Sequence, residues 1–214
     1  PDDEMWNKAE NELREVLNEL GIKYTEEIGE AAFYGPKLDV NVKPAVGAEY
    51  TLSTCQLDFC LPAKFNLKYI DENGERKTPV VLHRAILGSL DRFMAYILEE
   101  TKGALPVWLA PVQVNIIPVN NEYHLEYAKE IEKMLENANV RVKLDDRNEK
   151  LTYKMRESQT KKVPYTIIIG DKERDANTVT VRLHGTTENI TLDKDEFLSK
   201  IKEVIQNKNI KYDL

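Results

Sequence analysis

The residues with the most chemical potential stand close together, in residues 80–93, VVLHRAILGSLDRF. Val80 to Leu82 are apolar and largely β-branched, which reads as the end of a strand. From Arg84 the apolar spacing becomes helical. Ile86, Leu90, Phe93 and Ile97 recur at intervals of three or four and predict a buried stripe. On that helix Ala85, Gly88, Ser89 and Arg92 share a second face, and three of the four are small. A glycine inside a helix costs about 1 kcal/mol relative to alanine, so a close approach is expected there. Arg92 adds a planar cation suited to stacking on a flat ring or holding phosphate. His83 marks the strand–helix junction. From the residues alone two readings stand: a nucleotide site, or a tight helix–sheet contact capped by a surface arginine.

The elements that must position these groups begin with a helix capped by Asp2 or Asp3. Its apolar face is Met5, Leu13, Val16, Leu17 and Leu20, and Gly21 ends it. Ile22 to Tyr24 is a short strand candidate, and the glycines and proline of Gly29–Lys37 mark a tight turn around Tyr34. Leu38–Lys43 and Tyr50–Phe59 both alternate, and the connection between them predicts an antiparallel pair. One face of the second strand carries Thr54, Gln56 and Asp58. That face is either solvated or a ligand-binding floor. Asn73-Gly74 marks a hairpin tip. Pro106–Pro111 reads as a linker, giving domains at 1–108 and 111–214. Beyond it strands and helices alternate: strands at 113–119, 140–144, 164–170, 178–183 and 189–192, and helices from Asn121 or Glu122, at 151–160 and after Asp193. This is an α/β domain with a largely parallel core sheet. Asp145–Lys150 follows a strand, where open α/β sheets often bind ligands. Lys154, Arg156, Lys161 and Lys162 lie on or after the next helix, and Asp171-Lys172-Glu173 and Arg182 follow later strands. Such a mixture suits reading base edges and phosphates, and it equally suits a solvated loop surface.

The 214 residues allow one large or two ordinary domains, and the net charge of −7 argues against non-specific nucleic-acid binding without excluding a local basic face. No apolar run approaches the roughly 20 residues of a membrane span, and the first residues lack the basic and apolar regions of a secretory signal. Cys55 and Cys60 point to opposite faces by strand alternation, so neither a disulfide nor a two-cysteine metal clip is expected between them. A reduced, cytoplasmic protein is the simplest reading.

The run HRAILGSLDRF at 83–93 strongly resembles the third signature motif of the class II aminoacyl-tRNA synthetases, in the wording of the bacterial threonyl family, with Asp91 where glutamate is usual. AFYGPK at 32–37 and TCQLDFCLP at 54–62 are similar to two segments of the catalytic sheet of that family, in the same order. DRNEK at 146–150, KVPY at 162–165 and GDKE at 170–173, with Arg182 beyond, resemble the anticodon-binding domain of class IIa members. The resemblance implies the C-terminal part of a class II antiparallel-sheet catalytic domain, followed by an α/β anticodon-binding domain with a mixed sheet. It implies Arg92 as the catalytic residue on ATP, and Tyr34, Gln56 and Ser89 on the substrates. His83 would be the third ligand of a zinc ion. Asn148, Arg156, Lys162, Lys172, Glu173 and Arg182 would be anticodon-loop contacts. The implied reaction joins threonine to ATP, with Mg, as an adenylate, and then transfers it to tRNA(Thr) by a homodimeric ligase. Residues 50–54, YTLST, replace the usual WQCGT, so no role of that glutamine carries over.

Nothing resembles the first two class II motifs. The chain is therefore read as the carboxy-terminal portion of such a ligase, metal-free or nearly so and inactive alone. His124 and His184 fall in the second domain and cannot help His83 hold an ion. The alternative is a non-catalytic RNA-binding or regulatory paralogue.

Overall fold

The computed structural model describes residues 3–212 and 214, so the proposed cap Asp2 lies outside the described residues. The chain divides into two compact units, 1–99 and 100–214. The division falls ahead of the Pro106–Pro111 stretch.

In the first unit α1 (Asp3–Glu19) is followed by β1 (Lys37–Val42), β2 (Tyr50–Asp58) and the short α2 (Leu61–Lys64). A small hairpin, β3 (Tyr69–Ile70) and β4 (Arg76–Lys77), precedes β5 (Val81–Ala85) and α3 (Leu90–Glu100). The sheet order is β1-β2-β5, antiparallel throughout, with a register shift at Val40/Asn41. Residues 22–24, expected as a strand, form none.

The helical reading of 84–89 is overturned. Arg84 and Ala85 belong to β5, because Cys55 and Thr54 of β2 pair with them across the ladder. Gly88 lies in a turn with φ +64°, and a Cβ there would stand 3.0 Å from the Leu52 carbonyl oxygen. The close approach expected around the glycine is real, but the β2 backbone makes it. The predicted buried stripe is absent. No residue of α3 is buried, and Ile86 and Leu90 are 68% and 75% exposed.

The second unit has β6 (Val114–Pro118), α4 (Asn121–Asn137), β7 (Val142–Leu144), α5 (Leu151–Thr160), β8 (Tyr165–Ile169) and α6 (Asp171–Ala176). β9 (Thr178–Leu183), β10 (Asn189–Asp193) and α7 (Lys194–Gln206) complete it. The sheet order is β10-β9-β8-β6-β7. β7, β6 and β8 are parallel, whereas β9 and β10 run antiparallel, so the sheet is mixed. One face carries Val114, Ile116, Tyr165, Ile167, Val179 and Val181, fully buried beneath α4 and α7 through Ile131, Leu135, Phe197 and Ile201. Val107 joins this core, fully buried. The helices are capped as their sequences dictate: Asn120 accepts from the Glu122 N–H, and Asp193 from those of Asp195 and Glu196. Among the described residues no helix is long and apolar enough to cross a membrane.

Candidate functional site

In the first unit the strand register gathers the chemistry. Gln56 and His83 are direct cross-strand partners, and Asp58 stands two residues along the same face of β2. Tyr34 arrives from the turn before β1. That turn can lie against β2 only because residue 35 is glycine: a Cβ there would sit 2.1 Å from the Leu57 carbonyl oxygen. The Tyr34 hydroxyl donates to Gln56 Oε1 at 2.7 Å, and the Tyr34 and His83 rings meet edge-on at 5.9 Å. Tyr34, Gln56 and His83 therefore form one cluster.

Asp58 fixes the histidine. Its side chain is 1% exposed, and its Oδ1 accepts the backbone N–H groups of Cys60 and Leu61 while Oδ2 lies 2.8 Å from His83 Nε2. Burial pushes this carboxyl up, but the hydrogen bonds from His83, Leu61 and Cys60 outweigh it and hold it below the usual carboxylate range. An ionised carboxylate only accepts, so Nε2 carries a proton and Nδ1 is left as the ring's lone-pair nitrogen in the neutral histidine. The histidine side chain is 44% exposed, open to a ligand. Among the described residues no three His, Cys, Asp or Glu side chains converge to hold a metal ion. His83 fits one position of such a site.

Arg92 and Ser89 stand elsewhere. The Arg92 guanidinium lies 5.9 Å over the ring of Tyr50, the first residue of β2. Six residues, roughly 20 Å of strand, separate Tyr50 from Gln56. Ser89 is exposed just before α3, and its carbonyl accepts the Phe93 N–H. Asp91 lies in the first turn of α3, where a negative charge complements the helix dipole. Arg84, which carried no expectation, donates to Ser53 Oγ and to the Thr54 and Ala85 carbonyls. It ties β2 to β5 on the face of the sheet opposite to the cluster.

In the second unit the polar residues fall into two groups. Asn148 follows the carboxyl end of β7, and Lys172 and Glu173 follow that of β8. All three thus gather at one end of the parallel strands. Lys162 is at the other end of β8, where its amine donates to the Lys102 carbonyl. Arg182 pairs across the ladder with Thr166 near that same end. Arg156 is exposed on α5 between the groups. Lys154, counted above with the candidate phosphate ligands, is 3% exposed and donates to the Asp145 carbonyl, so it is structural. Arg147 is spent on Asp145 and Glu157, and Lys161 on Glu157.

Glu173 is held from two sides. Its Oε2 accepts the Gly170 N–H at 2.9 Å, and its Oε1 accepts the Thr180 hydroxyl at 2.7 Å. Burial would raise its pKa, but these bonds prevail and hold it below the usual carboxylate range. It is a fixed, charged acceptor at the mouth of the sheet. His124, 3% exposed, accepts the Asn120 N–H on Nδ1 and reaches Asp171 with Nε2 at 3.2 Å, linking the start of α4 to that of α6. Only the tertiary contact identifies His124 and Thr180. No sequence signal marks them.

Comparison with known proteins agrees with both units. Residues 2–101 match the tRNA synthetase class II core domain (G, H, P, S and T), and residues 113–204 match the anticodon binding domain. Threonine–tRNA ligases of Staphylococcus aureus strains JH9 and Newman are each 55% identical over 207 residues, 97% of this chain. The chain spans 32% of the length of those relatives. The crystal structure of the RNA binding domain of threonyl-tRNA synthetase from Cryptosporidium parvum Iowa II superposes with a TM-score of 0.86 at 35% identity, covering 100% of this chain and 52% of that one. The first unit thus carries a segment of the class II tRNA synthetase core domain, and the second an anticodon-binding domain.

Proposed function

We propose that this chain is the carboxy-terminal part of a threonine–tRNA ligase. That enzyme activates threonine with ATP and magnesium, transfers it to tRNA(Thr), and works in the cytoplasm as a homodimer. The observation that carries this reading is the Tyr34–Gln56–His83 cluster, built on a class II core segment and followed in the same chain by an anticodon-binding domain. Tyr34 and Gln56 would line the threonine and adenylate side, and Arg92 would stack on the adenine. Ser89 would approach the substrate from the turn before α3. Asn148, Arg156, Lys162, Lys172, Glu173 and Arg182 would contact the anticodon loop.

His83 would be one ligand of a zinc ion whose remaining ligands belong to the part of the ligase that this chain does not span. A zinc ion held there would supply an open position for the amino and hydroxyl groups of threonine, and a site that demands the hydroxyl would reject valine far better than an apolar pocket does. This chain's contribution is a histidine whose orientation and tautomer Asp58 sets in advance. The isolated 214 residues are expected to bind anticodon RNA, to hold little or no zinc and not to activate threonine. The test joins these residues to the rest of a Staphylococcus ligase in place of its own span and measures threonine-dependent ATP–pyrophosphate exchange and zinc content. Activity with zinc bound supports the ligase. A folded, tRNA-binding chimera without exchange activity favours the non-catalytic paralogue.

A further inference from the structure

β10, Asn189 to Asp193, is the edge strand of the second unit's sheet. Its register places Asn189 opposite Arg182 and Thr191 opposite Thr180. These four side chains share the face away from the Val179–Val181 core, by strand alternation. Two hydrogen-bonded rows result. Arg182 Nε donates to Asn189 Oδ1 at 2.9 Å. Thr180 donates its single hydroxyl proton to Glu173 Oε1, so the 2.9 Å contact between Thr180 and Thr191 must be donated by Thr191. The direction is therefore fixed: Thr191 to Thr180 to Glu173.

We infer that β10 is a positioning strand for anticodon recognition, in which Asn189 sets the guanidinium of Arg182 and Thr191, through Thr180, sets the carboxylate of Glu173. The inference rests on the reading of Arg182 and Glu173 as anticodon contacts. Base discrimination depends on donors and acceptors standing at fixed angles, whereas attraction to phosphate does not. Asn189 and Thr191 are exposed on the strand but contribute little charge. Loosening them therefore relaxes selectivity without weakening the electrostatic part of binding. Asn189 and Thr191 are positioning residues that act through their neighbours.

The test uses the 214-residue chain and synthetic anticodon stem-loops: one with a threonine anticodon and others with single anticodon changes. Thr191→Val and Asn189→Ala should each reduce the affinity ratio between matched and altered hairpins by about threefold to tenfold, the reach of one ordinary hydrogen bond. The slope of affinity against salt should stay at its wild-type value, because no phosphate contact is removed. Thr191→Ser and Asn189→Asp, which keep the hydroxyl and the acceptor, should retain the ratio. That separates positioning from loss of fold. If wild type discriminates and the Val and Ala variants discriminate equally well, β10 plays no such part. If wild type itself fails to discriminate, the anticodon reading falls first and this inference with it.

Discussion

Replacing Asp58 by asparagine changes almost nothing in shape and reverses one proton. The carboxylate takes three hydrogen bonds, from the N–H groups of Cys60 and Leu61 and from His83 Nε2. The amide has one oxygen and one donor group to divide among them. Turning the oxygen toward the two backbone donors satisfies two bonds, whereas turning it toward His83 satisfies one and sets its NH2 against two N–H groups. The first orientation wins, and the amide then donates to Nε2. The His83 proton must move to Nδ1. The charge-assisted bonds become neutral ones, a loss of about 1 kcal/mol each, offset by no longer burying a charge. We expect Asp58→Asn to destabilise the first unit by about 1–2 kcal/mol. Asp58→Ala, which leaves buried donors with no acceptor, should cost about 3 kcal/mol or more. Long-range proton–nitrogen NMR of the histidine ring reports the tautomer directly, and urea titration the stability. An unchanged Nε2–H tautomer in Asp58→Asn would refute the argument. In a complete ligase the same substitution protonates the nitrogen proposed to face zinc, so zinc content should fall even in protein that remains folded.

Three further outcomes follow from particular contacts. A chain of residues 100–214 should be at least about 2 kcal/mol more stable than one of 111–214, by denaturant titration, because the shorter form loses fully buried Val107 and the Arg141 bonds to the Trp108 and Ala110 carbonyls. Equal stabilities would mean that 100–110 is only a tether. Arg92→Ala should slow ATP–pyrophosphate exchange in the complete enzyme while barely moving its melting temperature, since the contact to Tyr50 at an exposed site is worth about 0.5–1 kcal/mol. Lysine should rescue poorly, having no planar face to stack, and normal exchange in Arg92→Ala would end the nucleotide reading. Burial, and then the nearby Lys162, depress the His184 pKa below its ordinary 6.5. The neutral ring is favoured in the fold, so its stabilisation is present above the unfolded pKa and declines as pH falls from about 6.5 through the folded value. His184→Gln should flatten that part of the stability–pH curve of the second unit, and an unaltered curve would count against it.

The second unit was legible because its elements are local and its core is periodic. The 151–160 helix and the 178–183 strand stand where the spacing puts them. The first unit was harder for a physical reason. Residues 84–89 carry helical apolar spacing, yet Arg84 and Ala85 complete a ladder with β2, and those backbone hydrogen bonds outweigh a propensity difference of a few tenths of a kcal/mol per residue. The stripe of Ile86, Leu90, Phe93 and Ile97 has the right period and no buried member. Periodicity names the face that could be covered, not the partner that covers it.

The same distinction separates the groups proposed to meet substrate or anticodon from those proposed to position them. His83, Gln56, Glu173 and Arg182 belong to phrases whose residue types already suggest chemistry. Thr180, Thr191 and Asn189 lie outside those phrases and, like the bond of Asp58 to His83, acquire meaning only once register is known. A one-residue slip between β9 and β10 would turn Asn189 and Thr191 toward the core and leave Arg182 and Thr180 without them. Leu192, which packs against the core from the opposite face, prevents that slip. The apolar side of the strand thus fixes the register on which its polar side depends.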